Sequence, residues 1–207
     1  MRICSLFVAF FFSFASPAVP FWQSSVLPAV SSPVIAKKIS VPGISNAGKI
    51  SDSLFRGSQP DVSRLEELKK LGVTTIVDLR KESSHTRERE KIAAESLGMH
   101  FVSIPIGGFS TPTSAQLADF FSTVRQMPVQ KIFVHCEYGE DRTGVFIASY
   151  RIAFDHWTAN QAVSEMLYFG FNRHWHPHME TFVQALPRRL QSDPTLVDAL
   201  GNGQSAP

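Results

Sequence analysis

Cysteine is scarce in this sequence: the chain has two, Cys4 and Cys136. Cys4 belongs to an apolar run at the N-terminus, which is typical of a segment removed on export. Removal of that run would leave Cys136 as the single thiol of the mature chain, so an intramolecular disulfide is excluded. An exported domain with one cysteine has either a harmless buried thiol or a reactive one.

An excess of charge of one sign is also absent. The formal net charge is +2, and charged residues make up 18% of the chain. This near-neutral balance argues against nucleic acid or an anionic membrane surface as the partner. The hydrophobic fraction of 43% excludes global disorder, and 207 residues without a visible repeat are enough for one domain with a core.

The long apolar run lies at the N-terminus. The segment "MRICSLFVAFFFSFASPAVPFW" (residues 1–22) has one Arg near its start, and Ser16 and Ala18 have the −3 and −1 spacing that a signal peptidase reads. We expect residues 1–22 to be an export signal, so the domain would be periplasmic or secreted. An uncleaved membrane anchor is the alternative, because about 20 residues can cross a bilayer. A buried core strand fits least well, because the run is too long and has no period.

The rest of the chain divides by composition into three parts. Residues 23–40 are rich in Ser and Pro and are expected to form a linker, and residues 191–207 are expected to form a disordered tail. Between them, residues 41–190 alternate β-branched apolar segments with segments of helical periodicity. This alternation predicts an α/β domain with a mostly parallel central sheet flanked by helices.

Local signals set the expected bounds of the elements. Capping boxes at Ser63–Glu66 and Thr158–Gln161 predict two helix starts. The expected strands are 73–79, 100–106 and a short apolar strand ending at Cys136. The other expected helices are a polar one ending at Gly98, one over 113–127, a buried one over 143–154 and a last one over 177–190.

The segment "HCEYGEDRTG" (135–144) lies between an apolar strand and an apolar helix, where parallel sheets bind ligands. Backbone N–H groups in a helix's first turn lack partners within the helix, so a tight loop there can form an anion-binding nest. Gly139 supplies the conformational freedom that such a loop needs. This setting favours the thiolate of Cys136. Arg142 offers a planar fork for two phosphate oxygens, and the Thr143 hydroxyl can reach the thiolate.

These residues resemble the His-Cys-x5-Arg-Thr/Ser signature of the cysteine-dependent protein tyrosine phosphatases, and the size of residues 41–190 is similar to the dual-specificity branch. The segments "LFRGSQP", "GVTTIVDLR" and "HFVSIPI" appear upstream in the same order as in bacterial and fungal members of that branch. Low-molecular-weight phosphatases and arsenate reductases also use Cys-x5-Arg, but near the chain start. Here the motif lies about two thirds along the chain.

The resemblance implies a mechanism for this chain, with no cofactor and no metal. Cys136 would attack phosphorus and form a cysteinyl-phosphate that water hydrolyses. Thr143 would stabilise the departing thiolate, and His135 would support the loop from the strand end or form a buried hydrogen bond to backbone. The resemblance assigns phosphate binding to the loop that follows the cysteine: Glu137, Tyr138, Gly139, Glu140, Asp141 and Arg142.

The sequence departs from the family pattern at the general acid. Such phosphatases usually carry an Asp on a separate loop some thirty residues before the cysteine, and here "SIPIGGFSTPTSAQLADF" offers no loop carboxylate. Asp119 falls inside a predicted helix, where a solvated face is expected. Asp141 is the candidate acid, because a bound phosphate dianion would disfavour its ionised form. Its alternative role is to pair with a basic side chain or to cap the helix.

Substrate preference follows from the charges near the loop. Glu137 and Glu140 lower the positive potential at the pocket mouth, and the loop has no lysine, so monophosphates including phosphotyrosine are favoured over polyanionic substrates. Arg80, at a strand end, is expected to contact the substrate, to support the site from behind the substrate contacts, or to be a solvated charge. Phe109 could rim the pocket. The histidines of "NRHWHPH" lack helical metal-ligand spacing and are expected to be surface residues.

Two other functions remain open at this point. The Asp-Arg pair is similar to that of myotubularin phosphatases and suggests a phosphoinositide or inositol phosphate phosphatase. An inactive phosphate-binding adaptor is the second alternative, because the usual acid position is unfilled. The expected partner is a phosphorylated protein or a small phosphomonoester, and the sequence does not define the oligomeric state.

Overall fold

The computed structural model describes residues 34–82 and 84–201. In these ranges the chain forms a six-stranded sheet with the strand order β1–β2–β3–β6–β4–β5. The strands are β1 (Lys37–Lys38), β2 (Gly48–Lys49), β3 (Leu54–Gly57), β4 (Thr75–Arg80), β5 (His100–Ile106) and β6 (Ile132–His135). Strands β3, β6, β4 and β5 are parallel, and β1 and β2 extend the β3 edge antiparallel. The predicted mostly parallel α/β sheet is confirmed.

Helices cover both faces of this sheet. Within the described residues they are α1 (Leu65–Lys70), α2 (Ser84–Ser96), α3 (Ser114–Val124), α4 (Asp141–Ala153), α5 (Ala159–Tyr168), α6 (Pro177–Ser192) and α7 (Pro194–Ala199). Ile76 and Phe133 point into a smaller core with α1 and α2, whereas Val77 and Val134 point into a larger core with α3 to α7. Side chains alternate between faces along a strand, so strands with both faces covered are apolar nearly throughout.

Helix α4 runs through the larger core and is buried at every position from Arg142 to Ile152. It packs against α5 and α6. The prediction of a helix buried on nearly all sides is therefore confirmed. The helix begins at Asp141, two residues earlier than predicted, so the end of the loop already forms its first turn.

Side-chain caps fix several helix starts. The predicted capping box of Thr158 and Gln161 is present at α5. The predicted box at Ser63–Glu66 is wrong, because Asp61 caps this start instead: its Oδ1 accepts from the Ser63 backbone N–H at 2.9 Å. A 3-10 turn over Val62–Arg64 then leads into α1. An Asp directly before the first helical turn fulfils the same need for an acceptor.

Both predicted boundaries of the domain are wrong by several residues. Ala36, expected in the linker, is buried, and its N–H donates to Glu165 Oε2 at 2.8 Å. The next two residues form β1. At the other end, α7 lies in the expected tail but buries Leu196, and Asp193 accepts a hydrogen bond from Ser114. Composition did not reveal these contacts, since each depends on a partner distant in sequence.

The predicted export signal or anchor (1–22) and most of the predicted linker lie outside the described residues. So does the end of the chain beyond residue 201. Among the helices of residues 34–82 and 84–201, none is long and apolar enough to cross a membrane.

Candidate active site

The loop between β6 and α4 lies at the carboxyl ends of the parallel strands, where the sequence predicted it. It borders a cavity of about 340 Å³. The residues that line this cavity are Glu82, Gly108, Phe109, Cys136, Glu137, Tyr138, Asp141, Arg142 and His176. A more open depression of about 700 Å³ shares Glu137 and Tyr138 but has neither Cys136 nor Arg142 in its lining. The smaller cavity therefore contains the chemistry.

Cys136 is 97% buried at the floor of this cavity, with an exposed fraction of 3%. Burial raises the pKa of the Cys136 thiol, but several groups outweigh it and leave the pKa below its ordinary value. They are the Thr143 hydroxyl and backbone N–H, the charge of Arg142 and the Gly139 backbone N–H. The Thr143 hydroxyl oxygen is buried and has no nitrogen or oxygen partner among the described residues, so its proton is free for the sulfur. The site thus favours a nucleophilic thiolate.

Gly139 is the tightest point of the loop. Its φ is 72°, in the left-handed region, and a Cβ there would lie 2.3 Å from the carbonyl carbon of Gly57. Its carbonyl oxygen accepts from Asn46 Nδ2 at 3.1 Å and from the Arg56 guanidinium. A glycine is therefore required both for the turn and for close approach of the two backbones.

Arg56 supports the loop from behind. It is fully buried on β3, stacks 4.1 Å from the Phe169 ring centroid and reaches the carbonyl oxygens of Gly139 and Glu140. Burial lowers the pKa of Arg56 to about 10. This residue was not predicted as part of the site. Its motif "LFRGSQP" contributes to the family resemblance. However, no local sequence pattern predicts that an arginine on this strand contacts a loop distant in sequence.

Arg142 is buried beside the cavity and is joined to Glu82, which the sequence did not single out. Arg142 Nη1 donates to Glu82 Oε2 at 2.6 Å and to the Ile106 carbonyl at 3.3 Å. Its Nε and Nη2 have no hydrogen-bond partner among the described residues, so one edge of the fork remains for an oxyanion. Glu82 also accepts from Gly108 N at 3.1 Å and so links Arg142 to the loop that carries Phe109.

His135 is buried at the end of β6 and contacts the loop directly. Its Nδ1 donates to the Cys136 carbonyl at 3.0 Å, which places it in both roles considered from the sequence. Its Nε2 lies 2.9 Å from Glu90 Oε1, close enough for an ion pair although poorly aligned for a hydrogen bond. Burial lowers the pKa of His135, but Glu90 and then Asp78 outweigh it, so the pKa lies above its ordinary value.

Arg80 was predicted as a direct substrate contact, as a support behind the substrate contacts, or as a solvated charge, and the structure places it behind the site. It is 3% exposed and does not line the cavity. Its guanidinium donates to Asp78 at 2.8 Å through Nε and at 2.9 Å through Nη2, and to Glu90 at 2.6 Å. Asp78 and Arg80 are two residues apart on β4 and therefore face the same side, where α2 brings Glu90.

Asp78, Glu90 and His135 also form a buried group whose ligand atoms lie within 4.8 Å of one another, a spacing that can suit a metal ion. However, the Arg80 guanidinium already bonds both carboxylates. With His135 protonated, two positive charges balance two negative ones. The Arg80 guanidinium thus occupies the place that a metal ion would take between Asp78 and Glu90, and the group supports the loop through His135.

Of the three acidic residues of the loop, two face the cavity and one does not. Glu137 and Asp141 line the cavity, whereas Glu140 turns away and packs against Gly170. Asp119 lies on an exposed position of α3, as expected, and does not line the cavity. Asp141 Oδ1 accepts from Asn172 N at 3.0 Å, and its Oδ2 lies 3.4 Å from His176 Nε2.

His176 corrects the expectation of a surface histidine. It is 8% exposed, lines the cavity and lies against Phe109, with ring centroids 4.9 Å apart. Phe109 itself is 70% exposed, so it rims the pocket as the sequence suggested. His174 and His178, its neighbours in the same segment, are exposed.

The comparison with known families agrees with this geometry. The family model described as "DSP-PTPase phosphatase fused to NAD+ Kinase" matches residues 35–178. This range is more than half of the chain and includes the complete loop. The chain therefore belongs to this family of dual-specificity-type, cysteine-dependent phosphatases.

Three of the relatives with detectable similarity have the name dual specificity protein phosphatase. TpbA of Pseudomonas aeruginosa strain UCBPP-PA14 is 27% identical over 164 residues, which are 76% of this chain and 62% of that protein. TpbA of strain PAO1 is 30% identical over 133 residues, 61% of this chain and 55% of that protein. Dual specificity protein phosphatase 26 of Rattus norvegicus is 27% identical over 126 residues, 58% of each. This chain spans about three fifths of the length of these relatives.

Solved structures share the fold. The crystal structure of P. aeruginosa TpbA has a TM-score of 0.61 at 23% identity, over 81% of this chain and 98% of that chain. A Cys-to-Ser variant of TpbA in complex with pTyr has a TM-score of 0.62 at 20% identity, over 78% and 99%. The catalytic core of the PP-IP phosphatase SIW14 from S. cerevisiae has a TM-score of 0.59 at 21% identity, over 76% and 98%.

Proposed function

We propose that this chain is a phosphatase that hydrolyses phosphomonoesters, phosphotyrosine first, through a cysteinyl-phosphate intermediate. One observation carries the proposal: a thiol with a lowered pKa, Cys136, lies on the floor of a cavity whose wall contains Arg142. Thiolate, guanidinium and helix start together form a site for one tetrahedral oxyanion.

The chain's own residues divide the reaction into two displacements. Cys136 Sγ bonds to phosphorus as the bond to the leaving oxygen breaks. Arg142 and the loop N–H groups hold the equatorial oxygens, where phosphoryl-transfer catalysis mostly resides. Water then attacks phosphorus and the thiolate departs, stabilised by a hydrogen bond that the Thr143 hydroxyl donates. Asp141, the candidate acid from the sequence, lies on the cavity wall next to His176.

The rim supports an aromatic monophosphate as substrate. Phe109 and Tyr138 line the cavity and are 70% and 64% exposed, so both rings can contact a phenyl group. Glu82, Glu137 and Asp141 also line it, and Arg142 is the one Lys or Arg side chain in that lining. A substrate with several phosphates would meet repulsion there, whereas a single phosphate on a phenol would not.

The test is turnover of a phosphotyrosine peptide by the full chain, beside a soluble phosphoinositide and a phosphoserine peptide. We expect fastest turnover of phosphotyrosine, inhibition by orthovanadate, and loss of at least about 10⁴-fold in Cys136→Ser. Preference for the phosphoinositide would favour the lipid-phosphatase alternative. Absence of turnover of all three, with phosphotyrosine bound equally by parent and Cys136→Ser, would favour the adaptor.

We also propose that the chain is exported, on the sequence of residues 1–22 alone. Periplasmic fractionation and N-terminal sequencing of the recovered chain test this. A new N-terminus shortly after Ala18 supports a cleaved signal, whereas an intact membrane-bound chain supports the anchor. Recovery of the intact chain in the cytoplasm contradicts both.

A further inference from the structure

The leaving-group oxygen needs a proton, and the cavity offers few donors. Three carboxyl groups line it: Glu82, Glu137 and Asp141. Burial raises the pKa of Glu82, but the hydrogen bond and charge of Arg142, together with backbone N–H donors that include Gly108, outweigh it and leave the pKa below its ordinary value. Glu82 is therefore an ionised partner rather than an acid. Glu137 is exposed at the mouth, beside the Tyr138 hydroxyl. Asp141 remains.

Asp141 does not stand alone. One carboxylate oxygen accepts from the Asn172 backbone N–H at 3.0 Å, and the other lies 3.4 Å from His176 Nε2. Both oxygens of Asp141 are therefore engaged by groups of the protein itself. An Asp held in this way is placed to orient the imidazole ring of His176.

His176 has the properties of a functional histidine. Its side chain is 10% exposed, it lines the same cavity as Cys136, and its Nδ1 is buried without a hydrogen-bond partner among the described residues. The ring is fixed between Asp141 and Phe109. A buried imidazole with one unused nitrogen is costly unless it has a function or a ligand.

We propose that His176 is a further catalytic residue, which supplies the leaving-group proton while Asp141 orients it and balances its charge. The inference rests on the phosphatase function proposed above. As the Sγ–P bond forms and the P–O bond breaks, the imidazolium gives its Nε2 proton to the leaving oxygen and becomes neutral imidazole. In the second displacement the imidazole takes one proton from the attacking water. Inorganic phosphate leaves, the Cys136 thiolate is restored, and His176 is again protonated.

The test uses leaving groups of different quality. 4-Nitrophenolate departs without a proton, whereas phenol from phenyl phosphate needs one. For His176→Asn in the full chain we expect kcat on phenyl phosphate to fall by about 10²-fold, the usual contribution of a general acid. We expect a far smaller fall on 4-nitrophenyl phosphate. Asp141→Asn should show the same selectivity, and the double variant should lose little more than either single variant.

Two further variants separate proton transfer from structure. His174→Asn removes an exposed histidine of the same segment and should behave like the parent on both substrates. His176→Gln keeps an amide N–H that can donate to Asp141 but cannot transfer a proton, so we expect it to remain as slow on phenyl phosphate as His176→Asn. Thermal unfolding and vanadate inhibition show whether each variant is folded with an intact loop.

The outcomes are distinct. Equal loss on both substrates, no loss, or recovery of parental turnover in His176→Gln each overturn the role of His176. If the parent hydrolyses neither substrate, or Cys136→Ser hydrolyses both at the parental rate, it is the phosphatase proposal that fails.

Discussion

Two glutamate–arginine pairs of equal length lie near the carboxyl end of β4, and they differ in almost everything else. Arg80–Glu90 and Arg142–Glu82 both have a shortest N–O distance of 2.6 Å. The side chains of the first pair are 4% and 0% exposed, and those of the second are 8% and 52% exposed. The first pair stands behind the catalytic loop, and the second stands in the cavity.

This difference shows that distance alone does not define what an ion pair does. Ions removed from water must be matched completely, so the buried pair is bound into a group of four with Asp78 and His135. The half-exposed carboxylate of Glu82 can be replaced by water or by substrate oxygens at little cost. The pair behind the loop is therefore expected to fix the fold, and the pair in front to leave Arg142 available for catalysis.

The largest expected effect is on the buried pair. Glu90→Gln removes one charge and leaves Arg80 and His135 incompletely matched, so we expect the free energy of unfolding to fall by about 3–5 kcal/mol. Urea denaturation measures this. Glu88→Gln, at an exposed position of the same helix, is the control and should change it little. A loss for Glu90→Gln no larger than that of the control would contradict the comparison.

Arg142→Lys should show the opposite pattern. Loss of the planar fork is expected to lower kcat/KM on phosphotyrosine by about 10²–10³-fold, the cost of removing a donor to transition-state charge. The free energy of unfolding should change by no more than about 1 kcal/mol, since the partner is half exposed. Steady-state kinetics and urea denaturation measure the two. Arg173→Lys, whose exposed side chain pairs with Glu180, is the control. The idea fails if both quantities fall together.

Thr143→Val tests what lowers the pKa of Cys136, whose thiol lies at the loop that the two ion pairs flank. Thr143 hydrogen bonds lower the pKa of Cys136, so loss of the hydroxyl should raise this pKa towards its ordinary value. A thiolate forms as pH rises through the pKa. The rise of iodoacetamide alkylation with pH should therefore shift to higher pH, with a limiting rate no lower than that of the parent. Thr123→Val, a buried helical threonine outside the cavity, should leave the profile unchanged. A profile shift to lower pH would contradict the assignment.

The smallest effect is expected for Glu82→Gln. Its carboxylate is 52% exposed, so we expect the free energy of unfolding to change by about 1 kcal/mol or less. Urea denaturation beside Glu90→Gln gives the direct contrast. A loss as large as that of Glu90→Gln would show that the two pairs are equivalent, against the interpretation above.

The sequence was sufficient for the features that are contiguous in it. Cys136, Gly139, Arg142 and Thr143 lie within one short segment, so their spacing already implied a loop closing on a helix start. The alternation of strands and helices likewise predicted the parallel sheet, because each element carries its own periodicity.

Residues joined only by the tertiary fold could not be predicted. Arg56 meets the loop from the neighbouring strand β3, and His176 meets it from the turn before α6; neither segment has a local signal for that contact. Glu90 lies in a helix with polar residues on every face, which is typical of a solvated helix. The sequence therefore did not predict that Glu90 is buried or that Arg80 pairs with it. A single charged residue near a strand end does not by itself predict a substrate contact, because the position of its side chain depends on partners that are distant in sequence.

The contact of Gly139 with the backbone of Gly57 and Ser58 has a consequence for evolution and engineering. The end of β3 packs directly against the turn at Gly139. The conformation of the loop around Cys136 therefore depends partly on a strand far upstream in the sequence. A library that varies only residues 135–144 therefore keeps the β3 backbone that packs against the loop. If this segment were moved into another protein without that backbone, the loop would not be expected to keep its conformation.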